Sequence, residues 1–305
     1  MRATELHARP SADFEAKLAH TQTLLRQAAS DYAAVQAGGP AQVSLACSLG
    51  AEDMVLAHLI NAQRLQIGIF VLDTGRLHTE TLDLLHQLKE SSRAPVEVFR
   101  PQTDAVVQFV RREGQDAMYR SVELRKACCQ IRKMEPLERA LADKRAWVTG
   151  LRREQSGTRA EVPFVDSSDA RRVKFNPLAD WSWGDVWHYI RTHGVAYNPL
   201  HDQFYPSIGC EPCTRAISLG EDFRAGRWWW ENESAKECGL HVKPHSSHEV
   251  AVSQSDTHGA FVSAQADFSA AEVKGSPEPG RSQSEDLKEC GLHVKHETPT
   301  QGKHA

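Results

Sequence analysis

The chain has 305 residues, 25% of them charged, and a net charge of −4. That length suits one large domain or two small ones, and the acidic balance excludes a global field drawing it to nucleic acid or anionic lipid. No apolar run approaches a membrane span, and the opening MRATELHARPSADFEAKL lacks the apolar core of an export signal, so the cytoplasm is the expected compartment.

An amphipathic helix is expected first, with Phe14, Leu18, Leu24, Leu25 and Ala28 along it. Strand-like runs follow at AQVSLACS (41–48), IGIFVL (67–72), VEVF (96–99) and AWVTG (146–150). Between them apolar residues recur at helical spacing: Met54, Val55, His58 and Leu59; Leu82, Leu85 and Leu88; Val106, Val107 and Val110. Strands alternating with helices predict an α/β fold, a mostly parallel sheet covered by helices on both faces. SWGDVWHYIRTHG (182–194) reads as a late helix with Ser182 as its N-cap and Gly194 as its stop. After Pro244 the text is rich in Ser, Ala, His, Gly and Glu without sustained apolar periodicity. The expected division is a globular region over 1–243 and a flexible low-complexity tail over 244–305.

Two strand ends carry polar groups. SLGAED (48–53) joins a strand to a helix N-terminus, where backbone N–H groups and the helix dipole can cradle an anion. The plain alternative is an ordinary strand–helix turn. VLDTGRLH (71–78) sets Asp73, Thr74 and Arg76 at a second strand end, and open α/β sheets bind ligands along that edge. Arginines gather nearby in sequence, with Arg152, Arg153 and Arg159 in GLRREQSGTRA and Arg224 and Arg227 in DFRAGRWWWE. Forked guanidinium contacts suit sulfate and phosphate oxygens, whereas a solvated basic face is the commoner use of any single pair.

Seven cysteines in a reducing compartment read as metal ligands or nucleophiles rather than as disulfides. Cys128 and Cys129 are adjacent, and Cys210 and Cys213 form a CxxC. Four thiolates serve a tetrahedral zinc or an iron–sulfur cluster. Adjacent cysteines aim poorly at one small ion, so the spacing favours a 4Fe–4S cluster; four structural thiols remain the plain alternative. Cys47 sits in an apolar strand and reads as a small buried hydrophobe. The octapeptide KECGLHVK occurs twice, placing Cys238 and Cys290 in the same local setting. A reactive thiol needs nearby cations to lower its pKa, and Glu237 acts against that at Cys238.

In order along the chain, SLGAEDMVL, LDTGRLH, the CC pair, GLRREQS, SIGCEPCTR, GRWWWE and KECGLH resemble the assimilatory adenylyl-sulfate (APS) reductases of bacteria, part of the wider phosphoadenylyl-sulfate (PAPS) reductase family. The resemblance covers roughly residues 10–243. It implies a Rossmann-like nucleotide fold of the adenine nucleotide alpha-hydrolase, or PP-loop, type. It implies one 4Fe–4S cluster on Cys128, Cys129, Cys210 and Cys213, and with it APS rather than PAPS as substrate. It places the nucleotide loop on Ser48, Gly50 and Asp53 and the anion-binding cations on Lys133, Arg224 and Arg227; Asp73, Arg76 and Arg152 are expected as further substrate contacts. Cys238 is the implied nucleophile, forming an S-sulfocysteine with loss of AMP, and thioredoxin (or glutaredoxin) then releases sulfite for cysteine biosynthesis. No glutaredoxin-like domain follows residue 243, so the reductant is expected to be a separate protein. A homo-oligomer is left open.

Departures from the family pattern are Phe204, where a glycine is frequent, and Arg125, where a histidine is frequent. Only Cys238 follows GRWWWE, so the second KECGLHVK is expected to be a copy; a tail thiol that substitutes for the first is the alternative. Competing functions are a PAPS reductase with the same thiol chemistry and a non-catalytic adenylate-binding module with structural zinc. A PP-loop ATP pyrophosphatase would want an SGGxDS-type loop, which SLGAED is not.

Overall fold

The apolar runs become the strands of a single sheet. In the structure, a computed structural model that describes residues 1–36 and 39–231, these are β1 (Val43–Cys47), β2 (Gly68–Leu72), β3 (Val96–Phe99) and β4 (Ala146–Val148), joined by the short β5 (Val165–Asp166) and β6 (Val173–Phe175). The order is β3-β2-β1-β4-β6-β5, parallel throughout except that β5 runs antiparallel to β6. Because side chains alternate across a strand, the continuous apolar text of β1, β2 and β4 feeds two cores at once.

Leu45, Ile69, Val71, Val148 and Phe175 pack on one face against α3 (Ala51–Ala62) and α8 (Trp183–His193), burying Val55, Leu56, Ile60, Val186, Trp187 and Ile190. Phe70 and Trp147 point the other way, onto Leu137 and Ala140 of α7 (Glu135–Ala140). The remaining helices are α1 (Ala3–His7), α2 (Phe14–Asp31), α4 (Thr79–Ser91), α5 (Thr103–Glu113) and α6 (Val122–Cys129). The expected α/β class with a mostly parallel, two-faced sheet is the observed one. None of the helices among the described residues is long and apolar enough to cross a membrane.

Caps match their residues. Ser182 accepts from Asp185 N at 3.0 Å, Asp185 returns a contact to Ser182 N, and Gly194 closes α8 with φ 60°. The stripe of α2 buries Phe14, Leu24, Leu25 and Ala28 as expected, with Leu18 half-buried. Elsewhere the stripe is rotated. In α4 the buried leucines are Leu84, Leu85 and Leu88 while Leu82 is exposed, and in α5 the buried residue is Phe109, with Val107 exposed. β5 and β6 have two and three residues, too few for a period to show in the text.

Phe204 adopts a left-handed conformation, φ 64° and ψ 35°, and its side chain is about half exposed. Only glycine takes that backbone without a Cβ penalty. Phe204→Gly is therefore expected to stabilise the fold by about 1 kcal/mol, or a melting rise of about 2–4 °C. Thermal unfolding of the two proteins checks it, and an unchanged or lower midpoint rejects it.

Candidate active site

β2 and β3 lie to one side of β1, and β4, β6 and β5 to the other. The chain thus reverses its strand order between β1 and β4, and such a sheet opens a crevice at the carboxyl ends of those two strands. A cavity sits there, walled by Ser48, Gly50 and Asp53 after β1 and by Gly150, Gln155 and Arg159 after β4.

Asp53 clasps the two loops together. Its Oδ2 accepts from Ser48 N at 2.7 Å and Ser48 Oγ at 2.6 Å, and its Oδ1 accepts from Gly150 N at 3.1 Å. A side chain at residue 150 would overlap Asp53 and Glu52, so the close approach requires glycine. Burial pushes the Asp53 carboxyl up to about 6, against the pull of the Ser48 bonds. Ser48, Gly50 and Asp53 therefore stand together at the cavity, with Asp53 shaping the loop.

Arg152 does not stand with them. Expected among the substrate contacts, it is instead a buried strut that lines no part of the cavity. Its guanidinium donates to Glu52 at 2.9 Å, to Glu154 at 2.8 Å and to the Trp181 carbonyl at 3.3 Å, and it stacks on Trp183. Burial alone would raise the Glu52 carboxyl, but Arg152 and the Gln155 amide outweigh it and hold it below its ordinary value. Arg152→Met would leave Glu52 buried without its cation, at an expected cost of about 3–5 kcal/mol. Urea unfolding measures this; a change under about 1 kcal/mol would show that the pair is solvated.

Asp73 and Arg76 also lie outside the cavity wall. Asp73 accepts from Arg100 Nε at 2.8 Å and from Gly75 N at 3.0 Å, while Arg76 donates to the Gln115 carbonyl at 3.1 Å. Their loop serves a second cavity. The Arg76 carbonyl accepts from Glu211 N at 2.8 Å, and Leu77 forms a β-bridge with Cys210, so the β2 loop holds the CxxC segment in place.

That second cavity is lined by Cys128, Cys129, Cys210 and Cys213. The adjacent pair ends α6, whose N-cap Ser121 accepts from Leu124 N, and a π-helical stretch, Gln130–Met134, follows directly. Such turns often mark functional positions in helices. Cys210 is the N-cap and Cys213 the last residue of a single 3-10 turn, and Thr74 Oγ1 lies 3.2 Å from Cys210 Sγ. Phe109, Met118 and Trp228 enclose the sulfurs. Burial raises the Cys128 thiol; burial and then the neighbouring sulfurs push Cys213 up to about 12. Four thiols on one cavity, with Cys128 and Cys213 buried and Cys129 and Cys210 partly so, would ionise together around a cationic centre. Among the described residues no three His, Cys, Asp or Glu side chains converge as ligands of one metal ion would. Four cysteines on one cavity are a ligand set that a tetrahedral zinc or an iron–sulfur cluster would use.

The two cavities share a wall. Ser48, Lys133, Arg227 and Trp228 line both, and Arg224 lines the first. Arg227 lies against Gly209 so closely that a Cβ there would overlap the guanidinium, and its Nε has no partner among the described residues. It stacks on Trp228 at 4.7 Å. Lys133, Arg224 and Arg227, far apart in sequence, are thus brought to one place. Cys47 is buried at the end of β1 and its thiol is strongly raised by burial, as a packing residue's would be. Cys238, Cys290, both copies of KECGLHVK and the tail lie outside the described residues.

Gln155, His201 and Phe223 also line the first cavity, and none was expected there as a site residue; Thr74, singled out at its strand end, lines the second. Arg159 had been visible only as one cation in a basic run. His201, in PLHDQ, carries no signal in the text.

Residues 42–216, from just before β1 to just past the CxxC, match the model of the phosphoadenosine phosphosulfate reductase domain. The adenosine 5'-phosphosulfate reductase of Burkholderia cepacia is 58% identical over 202 residues, covering 66% of this chain and 81% of that protein. That of Allochromatium vinosum is 58% identical over 200 residues, covering 65% and 78%. In fold, the chain is similar to the phosphoadenylyl-sulfate reductase of Candida auris, with a TM-score of 0.51 at 23% identity over 63% of this chain and 88% of that one. The switch-point cavity, the cysteine pairs and these matches agree, and the chain belongs to the phosphoadenosine phosphosulfate reductase family.

Proposed function

We propose that this chain is an oxidoreductase that reduces adenylyl sulfate to sulfite and AMP in sulfate assimilation, with a thiol as the attacking group. The observation that carries the reading is the shared wall: Lys133 and Arg227 border both the nucleotide crevice and the cysteine cradle. An anion in the crevice would then lie beside the cradle, and the adenosine 5'-phosphosulfate reductases at 58% identity supply the substrate class.

In this reading Ser48, Gly50 and the Asp53-clasped loop seat the nucleotide, and Lys133, Arg224 and Arg227 hold the phosphosulfate oxygens. The Cys238 thiolate attacks the sulfate sulfur; an S–S bond forms, the S–O bond to AMP breaks, and AMP leaves with the electron pair. A thioredoxin (or glutaredoxin) thiolate then attacks Cys238 Sγ and releases sulfite. The second thiol of that protein closes its own disulfide, supplying the two electrons. Cys128, Cys129, Cys210 and Cys213 would hold a 4Fe–4S cluster. When bound, the cluster supplies electrostatic orientation beside Lys133 rather than an electron. The reductase domain would run to residue 243, with 244–305 a tail carrying a passive copy of KECGLHVK, and the protein would work in the cytoplasm.

Anaerobic incubation with adenylyl sulfate and no thioredoxin, followed by peptide mass spectrometry, tests this. A sulfonate on Cys238 is the expected product. None on any cysteine would sink the reductase reading.

A further inference from the structure

The Arg125 side chain is completely buried and borders the cysteine cavity. It lies three and four residues before Cys128 and Cys129 on α6, on the same helix face as the pair. Nε and Nη2 donate to the two carboxylate oxygens of Glu231 at 2.9 and 2.7 Å, and the Glu231 side chain is itself only 3% exposed. The guanidinium lies 4.5 Å from the Trp228 ring centroid and also meets the Cys129 sulfur. One side chain thus joins the cysteine helix to the end of GRWWWE.

Stability is a weak reason for such a pair, because an apolar pair of similar volume commonly does as well in a core. Position is a better one. Cys238 follows Glu231 by seven residues, so its Cα falls within about 25 Å of the Glu231 Cα in any conformation. Cys290 follows by 59 residues, a chain length that sets no comparable limit. We infer that the buried Arg125–Glu231 pair is a positioning device that pins the root of the Cys238 segment to the cysteine helix and so sets the delivery of that thiol. The inference rests on Cys238 being the nucleophile.

Three proteins test it: the parent, the Arg125→Met/Glu231→Leu double variant, and Arg125→Lys, which keeps the charge and loses the fork. The readouts are melting temperature, bound iron, AMP affinity, hydrogen exchange at the Trp229–Glu231 amides and the rate of Cys238 sulfonation without thioredoxin. The double variant is expected to melt and bind AMP like the parent, and its sulfonation is compared per iron-loaded chain because Arg125 also meets the Cys129 sulfur. Its Trp229–Glu231 amides should exchange faster and its sulfonation slow by about ten- to a hundredfold, with Arg125→Lys intermediate. Sulfonation within about twofold of the parent, with exchange unchanged, overturns the inference. If the double variant does not fold, Arg125→Lys alone decides by the same criterion. Absence of sulfonate in the parent would instead remove the functional reading, and the role of the pair with it.

Discussion

Cys238→Ser is expected to lower sulfite release by at least about a thousandfold while leaving AMP binding unchanged. The chemistry needs an anionic, polarisable atom at neutral pH, and a serine hydroxyl is almost wholly protonated there. AMP binding should survive because the crevice is built from the β1 and β4 loops and from Lys133, Arg224 and Arg227, all before residue 232. Cys290→Ser should stay within about twofold of the parent, since only Cys238 follows GRWWWE directly in the sequence. Sulfite release with thioredoxin, measured beside AMP titration, separates these cases. If Cys290→Ser were the silent protein and Cys238→Ser the active one, the second KECGLHVK would carry the nucleophile. If AMP binding fell with Cys238→Ser, the thiol segment would belong to the nucleotide pocket as well.

The sheet was legible because parallel strands buried on both faces must be apolar from end to end, as IGIFVL and AWVTG are. The cap and stop of α8 were legible because Ser182 and Gly194 make local bonds that depend on no tertiary partner. The stripes of α4 and α5 were not. Leu82 and Val107 satisfy helical spacing as well as Leu84 and Phe109 do, and only the position of the sheet decides which of them faces inward. Motif order marked the four cysteines and Lys133, Arg224 and Arg227, and the fold brings these together. The same text could not tell Arg152 from Arg159. Both follow β4, but Glu52 lies on the neighbouring helix and captures the first, while the second reaches the cavity wall. Which of the two is paired inside the fold and which faces the cavity is a tertiary fact. Arg125 makes the same point: its place beside the cysteine pair was visible, whereas its partner Glu231 lies 106 residues away.

The cysteine cradle carries the other large expected effect. Protein purified without oxygen should hold about four irons per chain and absorb near ~400 nm, and Cys213→Ser should lose both. Cys213 is the informative position because its thiol is buried and pushed up to about 12. An empty cradle would keep that proton at neutral pH, so loading must expel it, and cluster retention should weaken as the pH falls. With one of four thiolates replaced by a hydroxyl, the remaining three cannot close the ligand set, and the stabilisation that a bound centre lends to the folded state goes with it. The melting point should fall in Cys213→Ser, and the loaded parent should lose as much when a chelator strips its iron. Sulfite release should drop by at least about a hundredfold, about 3 kcal/mol, because Lys133 and Arg227 form a wall common to cradle and crevice and would lose their anionic neighbour on one side. Colourless protein with one zinc per chain and no sulfite would instead make the cradle a structural knot in an adenylate-binding module. Colourless, metal-free protein that still released sulfite from the 3'-phosphorylated nucleotide would move the chain to the cluster-free branch of its family.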